Sequence, residues 1–260
     1  MIHIPTPRRS LLALAALASL THLPAQAHGG GGEPAVEGTQ WGLGLAVMSE
    51  RKPYRGVENE TRVLPVITFE NRWVRLSGPG LELKLGQSGP VSFGLTAGLS
   101  DDGYKPGDSA FLARMAERKS GVWLGARAQL ATDWAHFSVQ WSGDASGHSE
   151  GQRFRLTVER RFALGDVGIS PRLSALWSDG KAHRYYYGVT AAEATAQRPA
   201  YSPGAGIDTE VGLRLDYRVA PQQVLFADLG VRSLGSAVRN SPLVDRRSVP
   251  EARLGYLYRF

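Results

Sequence analysis

The sequence predicts an all-β fold: a transmembrane antiparallel up-and-down β-barrel of about twelve strands, with ten strands as the alternative. Three observations predict it. Segments of about ten residues alternate apolar and polar side chains along most of the chain, as strands with two different faces do. The 260 residues include 31 Gly, 6 Trp, 9 Tyr and 8 Phe but no Cys, a composition rich in residues of turns and membrane interfaces. The chain also begins with an export signal.

The N-terminal segment has the three parts of a secretory signal peptide. Arg8 and Arg9 form a positive region, residues 11–20 form an apolar core, and Ala25-Gln26-Ala27 supplies the small residues of a cleavage site. The apolar core is too short to cross a bilayer. We therefore expect a signal peptide over residues 1–27, cleaved near Ala27, a flexible glycine-rich lead-in over 28–38, and the barrel over 39–260.

Composition excludes several classes of protein. Without cysteine the chain has no disulfide framework, thiol nucleophile or cysteine-based zinc site. A mean hydropathy of −0.22 excludes a multi-helix membrane protein, because each helix would need about 20 apolar residues. The formal net charge of +6 falls to +4 when Arg8 and Arg9 are removed (6 − 2), so we expect no nucleic-acid partner.

The period-two segments give the strand count. Turn sequences separate many of them, for example at residues 77–80, 87–90, 164–166 and 178–180. This arrangement favours an antiparallel meander. The alternating segments are 41–47, 63–69, 81–85, 91–99, 122–130, 137–141, 153–162, 167–177, 183–189, 207–219, 225–231 and 252–260.

The charged face of these strands indicates a polar lumen. Acidic and basic residues alternate with apolar ones in segments such as Arg153 to Arg161 and Asp208 to Arg218. Their charged side chains therefore lie on the same strand face, where they can pair inside a barrel. The apolar parity then faces lipid, and lipid requires a closed barrel because no backbone edge can stay unpaired there. Aromatic residues near strand ends fit the two membrane interfaces: Trp41, Trp73, Trp134, Trp141, Trp177, Tyr217, Tyr256 and Tyr258.

The C-terminal residues point to the outer membrane. Tyr256, Tyr258 and Phe260 alternate with other residues up to a terminal phenylalanine. This pattern looks like the signal that the bacterial barrel-assembly machinery reads. We therefore expect the outer membrane of a Gram-negative bacterium, with the assembly machinery and outer-membrane lipid as partners.

Residues 101–120 interrupt the strand pattern. Asp108 and Ser109 offer a helix N-cap, so we expect one short helical segment near residues 108–119. It is either a cap folded against the barrel mouth or a partner-docking segment. Strand counting places it in the periplasm, unless one strand among residues 62–99 is missed. The candidate docking residues are Tyr104, Asp108, Ser109, Phe111, Met115 and Arg118.

Candidate catalytic chemistry is sparse. His136 and Ser138 on one strand face resemble the catalytic pair of outer-membrane phospholipases, but Phe137 and Val139 are the lipid-facing set, which turns the pair into the lumen. The four histidines after residue 27 have no metal-ligand spacing. We therefore expect no catalytic, cofactor-binding or metal-binding residues, no cofactor, and no enzymatic activity.

Several motifs together are similar to the MipA/OmpV (MltA-interacting protein) family. The loop motif runs from Gly103-Tyr104 through Asp108-Ser109 to residues 115–119, with Ala110 standing where the family pattern has proline. Further matches cover the rest of the mature chain in order: Leu64-Pro65, Tyr186-Tyr187-Gly188-Val189 with Glu193-Ala194, residues 201–206, Ser241-Pro242-Leu243-Val244, and Tyr258-Arg259-Phe260.

The resemblance implies an outer-membrane barrel that acts as a scaffold. The best-described family member joins a lytic murein transglycosylase to a bifunctional penicillin-binding protein, and these two enzymes are the partners that the resemblance implies. Other members are linked to adhesion or to antibiotic and osmotic responses. A small channel, an adhesin or an uptake receptor is the alternative function.

Overall fold

The computed structural model of the protein describes residues 38–260, and the predicted signal peptide and nearly all of the predicted lead-in lie outside this range. A single antiparallel sheet makes up most of the fold. Its strands are β1 (Gln40–Arg51), β2 (Asn59–Glu70), β3 (Val74–Ser77), β4 (Gly80–Ser88), β5 (Val91–Ser100), β6 (Gly121–Ala131), β7 (His136–Asp144), β8 (Gln152–Glu159), β9 (Phe162–Leu164), β10 (Val167–Ser178), β11 (Gly206–Ala220), β12 (Gln223–Ser233) and β13 (Ser248–Arg259).

The sheet closes into a barrel of twelve strands. Strands that follow one another in sequence pair with each other except β8 and β9, which both pair with β10, and β13 pairs with β1 to close the ring. The three-residue β9 pairs with β10 just beyond β8, so it continues β8 after a break at Arg160 and Arg161. The ring of strand pairs is closed, as a barrel in lipid requires, although the short β3 pairs with only the last three residues of β2. The predicted fold class and strand number are confirmed.

The two ends of the barrel differ in their connections. At one end, the turn end, the first strand starts at Gln40 and the last strand ends at Arg259. The tight connections at this end are 71–73, 89–90, 132–135, 165–166 and 221–222. The opposite end, the loop end, carries the long connections at 52–58, 101–120, 145–151, 179–205 and 234–247.

The two strand faces have the predicted environments. Outward-facing apolar side chains such as Leu45, Val211 and Leu254 are more than half exposed, whereas Arg214 and Asp228 on the inward parity are buried. The exposed belt is the surface that lipid covers, and the polar lumen is the interior. Exposed Trp41, Trp73 and Trp134 lie by the turn end, and Trp141 and Trp177 lie toward the loop end.

Helices are few and short. Within residues 101–120 the helical structure consists of two 3₁₀ turns, Pro106–Asp108 and Ala110–Leu112, and Ser109 caps the second by accepting from the amide of Leu112. The α-helices are α1 (Gly180–Tyr187) and α2 (Ser236–Arg239). In the described part of the chain, no helix has the length and apolar character to cross a membrane.

The prediction of a strand over residues 183–189 is wrong. This stretch belongs to α1, which begins where the Asp179 carboxylate accepts a hydrogen bond from the amide of Ala182 at 2.8 Å. The N-cap satisfies an amide that the first helical turn leaves without a partner. Aromatic residues at His183 to Tyr187 mimicked strand alternation, but Ala182, His183, Tyr186 and Tyr187 are buried together at helical spacing.

The strand that the sequence reading missed is β3. Its four residues pair with β2 on one side and β4 on the other, and its turn at Gly78-Pro79 lies in the middle of the wall. With β3 counted, β5 runs in the same direction as β1 and ends at the loop end. Residues 101–120 therefore lie at the end of the barrel opposite Gln40 and Arg259, and the count that placed them at the same end as these residues was one strand short.

Candidate functional site

The long connections fold together into a compact loop cap, which we define as residues 52–58, 101–120, 145–151, 179–205 and 234–247. It has its own apolar core, in which the side chains of Tyr54, Leu112, Val238 and Leu243 are completely inaccessible. Because every long connection except 145–151 contributes to this core, the cap is one packed unit rather than five independent loops.

Two arginines lock residues 101–120 to residues 179–205. The Arg118 guanidinium donates to both carboxylate oxygens of Glu193, at 2.9 and 3.0 Å, with both side chains largely buried. Arg198 donates to the carbonyl of Phe111 and, at 3.0 Å, to that of Glu193. These charge-assisted hydrogen bonds from the two guanidinium groups join both loops and fix the position of one against the other.

A buried junction joins the cap to the barrel wall. The Tyr54 hydroxyl donates to the carbonyl of Asp102 at 2.6 Å, and the Asp102 carboxylate pairs with Arg153 of β8 at 2.8 Å. Burial alone would raise the pKa of Asp102, but the charges of Arg153 and Arg232 outweigh it and hold the pKa well below its usual range. Asp102 therefore stays ionised and anchors the loop to the strands.

Buried ion pairs fill the lumen below the cap. Arg172 binds Asp228 in a two-pronged contact at 2.7 and 3.1 Å, and Arg214 binds Asp216 at 2.9 Å. Arg214 also lies 3.9 Å from Asp228, which links the two pairs into one ladder along the inner face of the adjacent strands β10, β11 and β12. Charges in such a setting are stable only when paired, so the ladder occupies part of the lumen and ties together the three neighbouring strands.

The turn end carries an excess of basic side chains. Arg160, Arg161 and Arg218 are exposed there, and Arg259 lies within electrostatic range of Arg161 and Arg218. We call these four residues the basic rim. Arg161 is also 3.7 Å from Asp216, the residue of the ion-pair ladder that lies nearest the turn end. A surface of one sign attracts partners of the opposite sign.

The structure divides the six candidate docking residues into two groups. Tyr104, Met115 and Arg118 are buried in the cap, where Tyr104 packs edge-on against Tyr54 with ring centroids 4.6 Å apart. Asp108 is exposed, and Ser109 and Phe111 are partly exposed. The first group serves the packing of the cap, and only the second reaches its surface.

The other singled-out residues lie on the barrel. Tyr256 and Phe260 are on the outer face at the turn end, and the amide of Phe260 donates to the carbonyl of Trp41 where the last strand meets the first. His136 lies 3.3 Å from the side chain of Gln129 on the neighbouring strand. In the part of the chain that the structure describes, no group of three metal-ligating side chains is assembled.

Sequence reasoning missed Tyr54 and Glu193 as organising residues of the cap. Glu193 appeared only within a family motif, and Tyr54 sits in a short connection without periodicity. A signal did exist, since most family motifs quoted above fall in the long connections. In the structure these motifs meet: the Ser241 hydroxyl donates to the carbonyl of Tyr187 at 2.7 Å, and the Tyr201 hydroxyl donates to that of Ala237.

Among solved structures, the chain is similar to the NanC porin and to an outer membrane channel from Pseudomonas putida F1. The NanC porin is 10% identical, with a TM-score of 0.45, over 83% of this chain and 98% of the porin. The Pseudomonas channel is 11% identical, with a TM-score of 0.44, over 90% of this chain and all of the channel. Similarity at this level says nothing about what this barrel binds or passes.

Sequence comparison is more informative. The chain is 25% identical over 226 residues to the MltA-interacting protein of Escherichia coli K12, covering 85% of this chain and 90% of that protein. It is 28% identical over 131 residues to the outer membrane protein OmpV of Vibrio cholerae, covering 50% and 51%. The family model of the MltA-interacting protein MipA matches residues 43–260, and the chain therefore belongs to this family of outer-membrane barrels.

Proposed function

We propose that this protein is a closed outer-membrane barrel that acts as an interaction protein, holding murein-remodelling enzymes at the inner face of the outer membrane. The observation that carries the proposal is closure of the barrel. The loop cap covers one end with a packed apolar core, and the ladder of Arg172, Asp228, Arg214 and Asp216 occupies part of the lumen beneath it. Such a barrel serves as a membrane-embedded platform better than as an open pore.

The basic rim is the surface that best fits a periplasmic enzyme. Outer-membrane barrels place short turns in the periplasm and long loops outside, which puts the basic rim inside and the loop cap at the cell surface. The partner class comes from the relative named MltA-interacting protein, and the positive charge of the rim favours an acidic face on that partner.

Charge reversal at the rim tests the docking surface. Arg160→Glu with Arg218→Glu should weaken binding of the full-length barrel in detergent to a purified lytic murein transglycosylase at least tenfold, because two attractions become repulsions. Arg114→Glu with Lys119→Glu is the matched control on exposed cations of residues 101–120. Loss of binding in the control pair alone would move docking to residues 101–120. Equal binding by all three proteins would contradict charge-driven docking at either end.

Cysteine labelling tests which end faces the periplasm. The chain has no native cysteine, so Ala116→Cys in the loop cap and Gln222→Cys at the turn end each create one reactive thiol. We expect a membrane-impermeant maleimide to label Ala116→Cys on intact cells and Gln222→Cys only after the outer membrane is permeabilised. The reverse pattern would return residues 101–120 to the periplasm and make them the docking candidate.

A second candidate function, surface recognition as an adhesin or uptake receptor, has one observation in its favour. Lys105, Arg114, Glu117 and Lys119 are exposed on the outer side of the loop cap.

If stable current steps appear when the wild-type barrel is inserted into a planar bilayer, the closed-barrel proposal fails and an uptake channel becomes the better conclusion.

A further inference from the structure

The barrel wall has a window between β2 and the β4–β5 hairpin. The short β3 pairs only with Thr68, Phe69 and Glu70 of β2. Toward the loop end, residues 59–66 of β2 have β1 as their one strand partner among the described residues. Pro65 lies in this stretch, as expected of a residue that cannot donate to a neighbouring strand.

Named elements bound the window on every side. Its border toward the turn end is the turn from Ser77 to Gly80. Its border opposite β2 is β5 from Gly98 to Ser100. At the border toward the loop end, the carboxylate of Asp101, directly after β5, pairs with Arg62 of β2 at 2.8 Å. The two edges are thus joined by side chains above the turn rather than by a continuous ladder of backbone hydrogen bonds.

The window opens within the lipid-facing surface. Val63 and Ile67 on β2 and Leu81 on β4 flank it, and these outward-facing side chains are between 42% and 68% exposed. Apolar side chains exposed on a barrel wall are those that meet hydrocarbon. Whatever passes through the window therefore passes between lumen and lipid.

A cavity of about 210 Å³ lies behind the window. The outward-facing Leu81 and Leu99 contribute to its lining together with residues of the inner face, so the cavity reaches through the wall. Gly98 faces open space, because a Cβ placed there would meet no atom within 4 Å. The ionisable lining residues are Arg75, Arg127, Arg153, Arg155, Arg172, Glu82 and Glu210.

Guanidinium groups dominate the polar lining of this cavity. Five guanidinium groups line it against two carboxylates, with Glu210 shared between Arg155 at 3.1 Å and Arg172 at 3.5 Å. Buried Nε1 of Trp123 and Nε of Arg153 have no hydrogen-bond partner among the described residues. Each of the five guanidinium groups has a carboxylate within 4 Å, and the partners of Arg75, Arg153 and Arg172 (Glu70, Asp102 and Asp228) lie just outside the lining. The two unmatched donors remain costly, and a head group bearing several acceptor oxygens would satisfy them.

We propose that the cavity binds an anionic amphiphile, with a carboxylate or phosphate head among the arginines and a hydrocarbon chain leaving through the window into lipid. The head is recognised by charge-assisted hydrogen bonds from the guanidinium groups. The chain follows the apolar path past Leu81 and Leu99. This site is separate from the docking role at the basic rim, so either can fail without the other.

Calorimetric titration of the full-length barrel in a nonionic detergent tests the site with dodecyl phosphate and inorganic phosphate. Gly98→Leu places a side chain in the cavity and should weaken dodecyl phosphate binding at least tenfold. Gly107→Leu, at a cap glycine that also has open space around a Cβ, is the matched control and should leave binding unchanged. Arg155→Gln should weaken binding by a similar factor, whereas Lys84→Gln, a lumen cation outside the cavity, should not.

The two probes separate a lipid from a free anion. Saturable binding of dodecyl phosphate that is at least tenfold tighter than that of inorganic phosphate supports both the cavity and the window. Equal binding of the two probes overturns the passage of a chain through the window and leaves a site for small anions. Binding that is absent, or that Gly98→Leu leaves unchanged, overturns the site.

Discussion

The carboxylate of Glu193 collects contacts from two separate loops. It accepts hydrogen bonds from the amides of Ala116 and Thr190 and pairs with the guanidinium of Arg118. Burial alone would raise the pKa of Glu193, but these hydrogen bonds and the charge of Arg118 lower it below its ordinary value. One side chain thus satisfies donors that the packed cap would otherwise leave buried without partners.

Acid should loosen the cap through Glu193. Because its folded pKa lies below the ordinary value near 4.5, its contribution to stability is complete above that pH and is lost as the pH falls through the folded pKa. We expect the free energy of unfolding of the wild type, measured in urea, to fall from pH 7 toward pH 3. In Glu193→Gln it should fall less over the same pH range. Parallel pH profiles for the two proteins would contradict this role.

Removing the partner tests the same contact from the other side. Arg118→Met leaves a buried carboxylate uncompensated and should lower the free energy of unfolding by about 3 kcal/mol. Adding Glu193→Gln removes that charge, so the double variant should lose clearly less than the sum of the single changes. Strict additivity in the double-mutant cycle would show that the two side chains act independently.

Helix α1 shows how one element is decided by its cap and its packing. Its aromatic residues fit a strand equally well. The Asp179 carboxylate, however, accepts a hydrogen bond from the Ala182 amide in the first turn, and the Gly188 amide donates one to the carbonyl of Arg184 at the end of the helix. Tyr186 and Tyr187 then enter the apolar core of the loop cap. Burial of one helical face, rather than alternation, determines the element.

Loss of the N-cap should destabilise α1 selectively. Asp179→Ala removes a capping bond and is expected to cost about 1 kcal/mol. The effect should appear as faster hydrogen exchange at the amides of residues 180–187 while the strands keep their protection. Asp133→Ala, at an exposed aspartate in a turn-end connection, is the control. Equal exchange in both variants would show that packing alone holds the helix.

At the scale of the whole molecule, the last strand completes the barrel. β13 pairs along its length with β1 and β12, and the Phe260 amide extends the closure by donating a hydrogen bond to the carbonyl of Trp41. The Phe260 side chain itself is 66% exposed on the outer face. It therefore adds little packing inside the barrel, and its role as an assembly signal stays a prediction.

Changing this residue should affect assembly more than stability. In cells, we expect Phe260→Ala to reduce the amount of folded, heat-modifiable barrel in the outer membrane several-fold. The purified variant should refold in detergent with a free energy of unfolding within about 0.5 kcal/mol of wild type, as for other exposed sites. Val231→Ala, a lipid-facing change on β12, should leave both measurements unchanged. An equal loss in the two variants would argue against a C-terminal assembly signal.

The strand count shows both the reach and the limit of the sequence. Alternation identified eleven barrel strands, missed the four-residue β3 and added a false strand over residues 183–189, so the predicted number was right because two errors cancelled. A strand as short as β3 carries too few residues to display a period. The same error hid which end of the barrel holds residues 101–120.

The sequence by itself determined the barrel, its polar lumen and its lipid-facing wall, because strand alternation is local and membrane insertion forces closure. Only the tertiary structure decided how the loops meet. The packing of Tyr54 with Tyr104, the pairing of Arg118 with Glu193 and the cavity behind Gly98 join residues far apart in the chain. Such contacts depend on loop positions that closure of the whole barrel sets, and no local pattern encodes them.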